Sequence, residues 1–297
     1  MTVLVGTTQG LHEVGRGNIL EADRPIVGIS KLESTAWLLF GDRALYRSVD
    51  DSPWKLVAPI RQWPGSCLAA TSLAPLIGTA GAHLLFLGSG VEAFDSFERA
   101  PGRAQWYTPW GGPPATRSIT EGLDGTLYVN VHVGGILRSK DRGRSWEPTI
   151  DIDTDVHQVL AHPQLEPVVL AATGTGFAIS DDGGTAWRFE NVGLHATYCR
   201  AVAVAGDTIL VSASRSHRGE QAALYRKPLR SDAPFERCRE GLPEWFGGNV
   251  DSHWLAATQG IVAAGTPEGA VYVSRDAGEV WTKVAEDLPT ITCLGLG

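Results

Sequence analysis

Three copies of one eight-residue phrase constrain this chain more than any other feature. Ser139-Lys140-Asp141-Arg142-Gly143-Arg144-Ser145-Trp146 recurs as Ser180-Asp181-Asp182-Gly183-Gly184-Thr185-Ala186-Trp187 and as Ser274-Arg275-Asp276-Ala277-Gly278-Glu279-Val280-Trp281. All three obey S-x-D-x-G-x-x-W, and a shortened copy, Ser48 to Trp54, lacks the glycine. Trp146 and Trp187 are 41 residues apart, Trp187 and Trp281 are 94, and Trp54 and Trp146 are 92. The spacings are one, two and two steps of a common repeat, the signature of a chain that stacks one supersecondary unit many times.

Each full copy follows an apolar segment broken by a glycine turn, as in TLYVNVHVGGILRS, VVLAATGTGFAIS and IVAAGTPEGAVYVS. These read as hairpins. The phrase itself makes the next tight turn: Ser and Asp bond nearby amides, Gly takes the left-handed position and Trp folds back as an apolar plug. Leading strands are predicted at Ile26 to Ser30, Cys67 to Thr71, Arg117 to Thr120, Val156 to Ala161, Cys199 to Val204, His253 to Ala257 and Ile291 to Leu296. Seven units in 297 residues give about 42 each, matching the spacing. The last strand has no hairpin after it and the first hairpin, Thr2 to Val14, has no strand before it. The expectation is one all-β domain over residues 1–297, a seven-bladed β-propeller closed by pairing its two ends in one blade, which removes the sheet edge.

Composition agrees. Hydrophobic residues make up 43% and charged residues 20%, so a core is affordable. Ten Trp, one Met, five Lys and 35 Gly suit strands and turns rather than helices. A net charge of −8 argues against nucleic acid as a partner. No run approaches the roughly 18 apolar residues of a membrane span. Met1 leads into Thr2 with no secretory pattern, and four cysteines are too few for a disulfide framework. A reducing, cytoplasmic setting is expected, with no membrane partner and no nucleotide cofactor.

The phrase resembles the Asp-box, or BNR repeat, of sialidases, sortilin-type receptors and photosystem II assembly factors related to plastid Ycf48. That resemblance implies a propeller in which the boxes are structural turns away from the ligand face. Ser139, Asp141, Gly143, Trp146, Ser180, Asp182, Gly184, Trp187, Ser274, Asp276, Gly278 and Trp281 are therefore expected to build the fold, not to catalyse. Sialidases carry an F/Y-R-I-P element before the first box; the nearest string here, Arg24-Pro25-Ile26, has the wrong order. A glycosidase is accordingly the third-ranked reading.

In a propeller, leading-strand starts and the turns between second and third strands share one face. Aligning the strands puts Cys293, Ile26, Cys67, Arg117, His157, Arg200 and His253 there. The turns add His132, Arg215 and His217, and the approach segments add Asp155, His195, Tyr198 and Asp251. Trp254 follows His253, and Trp110 and Trp245 lie on long connections. His132, His157 and His253 are the expected ligands of one transition-metal ion (Zn, Cu, Fe, Mn or Ni), with Asp155 or Asp251 as outer partners. His157, His253, Arg117, Arg200 and Tyr198 are the catalytic candidates. His195, Arg215, His217, Asp251, Trp254, Cys67 and Cys293 are ligand-binding candidates, Cys67 as a thiol that Arg117 would acidify. The first reading is a small, anionic ligand bound at this face, with metal-assisted elimination or hydrolysis; streptogramin lyases offer an architectural parallel. The second is a protein-interaction scaffold, as in the assembly-factor branch, using Trp110 and Trp245. His12, His83 and His162 read as surface residues.

Overall fold

A computed structural model describes residues 2–41 and 43–297; Met1 and Asp42 lie outside them. Seven four-stranded antiparallel sheets follow one another, the blades of a seven-bladed β-propeller. Sheet 1 joins the ends of the chain, in the order Ile291–Leu296, Val3–Thr7, Gly10–Glu13, Gly17–Glu21. The C-terminal strand thus covers an edge of Val3–Thr7 that would otherwise be open. Sheets 2 to 7 are simple meanders. Their leading strands are Ile26–Leu32, Gly65–Ala70, Thr116–Glu121, Val156–Ala161, Tyr198–Ala205 and Leu255–Thr258. The seventh corrects the sequence reading: His253 lies before its strand, in a turn at φ 65°.

The chain packs as two compact units. One comprises Met1–Pro25, Ala171–Ala178 and Phe189–Gly297; the other comprises Ile26–Leu170 and Ile179–Arg188. In the first, Leu210, Leu224, Val250, Val262 and Trp281 share one core, and Val5, Val271 and Ile291 share another. In the second, Leu76, Phe97, Val129, Leu137 and Trp146 form the larger core. Inner strands such as Leu127–Val131 and Val169–Thr173 are apolar or small and buried at every position, so both of their faces feed these cores, whereas outer strands such as Gly17–Glu21 and Lys55–Pro59 are largely exposed.

Helical structure among the described residues is one turn, Asp95–Glu98, and a 3₁₀ turn, Arg103–Gln105. Phe97 on the first is fully buried, and its ring meets Trp146 edge-on at 5.1 Å. Such a pair adds about 0.5–1.5 kcal/mol beyond the area it buries. No helix of the described residues is long and apolar enough to cross a membrane.

Candidate functional site

The repeated phrases all close in the same way. In each, the Ser hydroxyl donates to the Asp carboxylate, at 2.9, 2.8 and 2.6 Å for Ser139, Ser180 and Ser274. The same hydroxyl accepts from the Gly amide, at 2.8, 2.7 and 2.8 Å. The Asp then accepts from the amide four residues on, Ser145, Ala186 or Val280. Ser145, through its hydroxyl and amide, holds the Asp141 carboxyl down at about 2. The Ser and Asp side chains of the phrase are thus engaged within the turn. Trp146 and Trp281 are buried and Trp187 is half-buried. In the shortened copy Ser52 stands in: its hydroxyl accepts from the Val49 amide at 3.2 Å.

The leading strands carry a second regularity, invisible to periodicity. Five of them bulge at their start, with the extra residue at Thr292, Val27, Ser66, Arg117 and the Arg200–Ala201 pair. A bulge re-aims one side chain. Arg117 and Arg200 are themselves bulge residues, but in three strands the residue singled out lies one position from the bulge. Ile26, Cys67 and Cys293 are 0%, 1% and 1% exposed, while Val27, Ser66 and Thr292 beside them are half-buried. Burial pushes the Cys67 and Cys293 thiols up to about 12. Arg117 does pull Cys67 down, but desolvation outweighs it, so the acidified thiol expected from the sequence is not what forms.

Three of the singled-out residues converge in sheets 4 and 5. His132 stands on the turn after Leu127–Val131, where Val133 adopts φ 53°. Asp155 and His157 flank the start of Val156–Ala161; a bond from the Val156 amide to the Thr154 carbonyl (2.9 Å) makes Asp155 the centre of a γ-turn. His132 Nε2 is 2.9 Å from Asp155 Oδ1, and His157 Nε2 is 3.2 Å from Oδ2. One ligand atom from each of His132, Asp155 and His157 lies within 4.8 Å of the others. Among the described residues no other group of three or more His, Cys, Asp or Glu does this. Asp155, read as an outer partner, supplies the third ligand atom, and His253 is not a member.

The electrostatics of the group are lopsided. Burial works to raise the Asp155 carboxyl, but the two imidazoles overcome it and hold the group well below the usual carboxylate range. Burial lowers His132; Asp155 opposes this and Arg117 reinforces it. The result is a carboxylate and an imidazole in their metal-binding protonation states at neutral pH. His157 is fully buried. The Trp110 ring lies 5.1 Å from that of His132 and is 65% exposed, so it rims the group on the solvent side.

The other singled-out residues have different surroundings. Arg200 Nη1 donates to Asp251 at 2.8 Å, its guanidinium lies over the Tyr198 ring at 5.5 Å, and the Ser252 hydroxyl donates to the Arg200 carbonyl. The His253 carbonyl accepts from the Leu294 amide at 2.8 Å. The His217 carbonyl accepts from Asn249, and Trp254 packs half-buried in the apolar cores. Arg215 is exposed on its turn, and its neighbour His195 bonds the Tyr225 hydroxyl at 2.7 Å.

Sequence reasoning passed over His83. Far from being a plain surface residue, it stacks on Trp63 at 3.7 Å, and its Nδ1 lies 2.9 Å from Glu98, which also pairs with Arg103 at 2.7 Å. Its position between the second and third strands of sheet 3 matches that of His132 in sheet 4, and that equivalence was the available signal. His162 is also buried; its Nδ1 accepts from the Gln164 and Leu165 amides, a turn cap. His12 is half-buried.

No protein-family model matches the sequence, and no curated protein matches it. Solved structures do. A structure of Ycf48 bound to a D1 peptide superposes with a TM-score of 0.59 at 16% identity, covering 95% of this chain and 84% of that one. A GH74 xyloglucanase from Xanthomonas campestris gives 0.61 at 16% identity, over 88% of this chain and 45% of the enzyme. A computationally designed protein, Ika8, gives 0.59 at 12% identity, over 92% and 78%. At such identities the likeness is one of fold: an assembly factor, a glycoside hydrolase and a design share the propeller, and what this chain does must be argued from its own side chains.

Proposed function

We propose that this chain binds a small anionic ligand through one divalent transition-metal ion held by His132, Asp155 and His157. The observation that supports this reading is the convergence of two imidazoles and a carboxylate on one point. The two imidazole nitrogens lie 2.9 Å from Oδ1 and 3.2 Å from Oδ2 of Asp155, and one ligand atom from each residue falls within 4.8 Å of the others, a spacing that a modest side-chain adjustment closes to the roughly 3 Å between ligands of one ion. Two histidines and one carboxylate suit Zn, Fe, Mn, Ni or Cu and leave coordination positions open for an exchangeable ligand. Arg117, aimed by its bulge and acting electrostatically on His132, provides a planar donor for an oxyanion. An ion so placed would polarise a carbonyl or phosphoryl oxygen, the chemistry of a metal-assisted lyase or hydrolase.

The experiment is elemental analysis of untagged protein, before and after incubation with those ions. About one equivalent is expected in the wild type, lost in His157→Ala and Asp155→Ala and retained in His253→Ala. A folded wild type that takes up none of them overturns the reading.

A second reading is a peptide or protein partner. Trp110 and Tyr107, 65% and 52% exposed, share one loop beside His132. Exposed aromatics of this kind anchor protein interfaces, and the similar Ycf48 structure contains a peptide. Co-elution of a stoichiometric partner from native extract, abolished by Trp110→Ala with metal content unchanged, would favour it.

A further inference from the structure

Sheet 6 carries an arginine that the sequence reading did not single out. Its last two strands are Ala223–Pro228 and Glu236–Arg237, with Arg226 opposite Glu236 and Tyr225 opposite Arg237. Alternation puts the two arginines on opposite faces. Arg226 is compensated: Glu279 lies at 2.9 Å and Glu236 at 3.8 Å. Arg237 is not. Among the described residues no carboxylate lies within ion-pair distance of it, and its Nε is buried with no hydrogen-bond partner.

What surrounds Arg237 is aromatic and cationic. Its guanidinium lies 3.7 Å over the Trp245 ring. Trp245 is 5.0 Å from the His195 ring, which in turn stacks on Tyr225 at 14° and takes its hydroxyl at Nδ1 (2.7 Å). The Gln221 backbone partly offsets the burial that lowers this imidazole. Arg239 and Glu244 also act on Arg237, and Arg215 acts on His195. Three arginines and one carboxylate are thus within electrostatic reach of Arg237 and His195, in a protein whose net charge is −8. Desolvation and the like charge of Arg239 both lower Arg237, in keeping with a cation that lacks a counter-ion.

We infer that Arg237, on its Trp245 platform and flanked by Arg215 and Arg239, is a binding site for an oxyanion, the phosphate or carboxylate group of a small ligand. Stacking uses the faces of the guanidinium, and with Nε buried the edge left for a bidentate acceptor is the one formed by its two terminal amino groups. Arg237, Trp245, His195, Arg215 and Arg239 all belong to the unit that does not contain His132, Asp155 and His157, so the inference does not rest on the metal reading.

The test is titration with inorganic phosphate and, separately, malonate. Calorimetry and tryptophan fluorescence are the readouts, against sodium chloride at equal ionic strength. Saturable binding of at least one oxyanion but not chloride is expected in the metal-free protein, weakened about ten-fold or more in Arg237→Ala and unchanged in Arg24→Ala, which removes an exposed arginine of the same unit. Preference between the two anions identifies the group. Because Arg237→Ala removes a stacked side chain, the Arg215→Ala/Arg239→Ala double variant, altered only at exposed positions, serves as a second probe and should also weaken binding. No saturable binding of either anion, or binding insensitive to both variants, overturns the inference.

Discussion

The side-chain amide of Asn130 donates to the backbone carbonyl of Val156 at 2.7 Å, and Asn130 is fully buried. That bond ties the strand ending immediately before His132 to the strand that starts between Asp155 and His157. The Ser118 hydroxyl completes the clamp, donating to Asn130 Oδ1 at 2.9 Å and accepting from the Val159 amide at 2.8 Å. A buried polar network therefore fixes the two strands that carry the imidazoles. Replacing Asn130 with Ala should cost about 1–3 kcal/mol, because it strands a buried carbonyl and hydroxyl, and should weaken metal uptake with no ligand removed. Denaturant unfolding and metal titration of the variant check both.

The pH dependence of stability follows from His132. Its folded-state pKa is lowered, chiefly by burial, so the unfolded chain binds its proton more readily. The corresponding stability is present above the unfolded value of about 6.5 and is lost as pH falls below it. His12 and His195, also lowered by burial, act in the same direction. Asp155, held low in the fold, adds a further loss at more acid pH, below the ordinary carboxylate range. Unfolding free energy should decline from about pH 6.5 downward, and His132→Gln should show a shallower decline. An identical slope in the variant would exclude His132 as a contributor.

The box glycines should differ in tolerance. Gly143 and Gly184 adopt φ 82° and 87°, where any Cβ is strained. A Cβ on Gly143 would also lie 2.4 Å from the Phe94 ring, whereas on Gly184 the nearest atom is Thr149 Cβ at 3.2 Å. Gly184→Ala should cost about 1 kcal/mol and Gly143→Ala about 1–3 kcal/mol more, read from thermal or denaturant midpoints. Neither should change ligand or metal binding.

The four cysteines should be silent towards alkylation in the folded protein. All are buried; burial pushes Cys67, Cys199 and Cys293 up to about 12 and Cys238 up to about 11. Iodoacetamide at pH 8 should modify none of them natively and all four in denaturant, as counted by intact mass. Rapid native labelling of Cys67 would restore the reactive thiol expected from the sequence.

The repeat phrase determined the architecture. Its Ser, Asp, Gly and Trp interact with one another within eight residues, so the turn they build is decided locally and can be read from the chain. The paired ends of sheet 1 were legible for a similar reason: a lone strand at one terminus and a lone hairpin at the other complete one four-stranded unit. Local chemistry also marked Arg117 and His157 as polar residues in apolar strands, with His132 on a turn and Asp155 on an approach segment beside them.

Which of these residues meet, and in what roles, was decided by tertiary structure. A bulge adds one residue without altering hydrophobic alternation, so the alignment slipped by one at Ile26, Cys67 and Cys293, and a one-residue slip exchanges a core side chain for an exposed one. The third member of the histidine group depends on a γ-turn at Asp155 and on the Asn130 clamp between two strands, neither of which leaves a spacing pattern in the sequence. Arg237 was invisible for a related reason. An arginine declares itself uncompensated only when the neighbours that fail to pair with it have been brought alongside, and those neighbours come from positions 195 to 245.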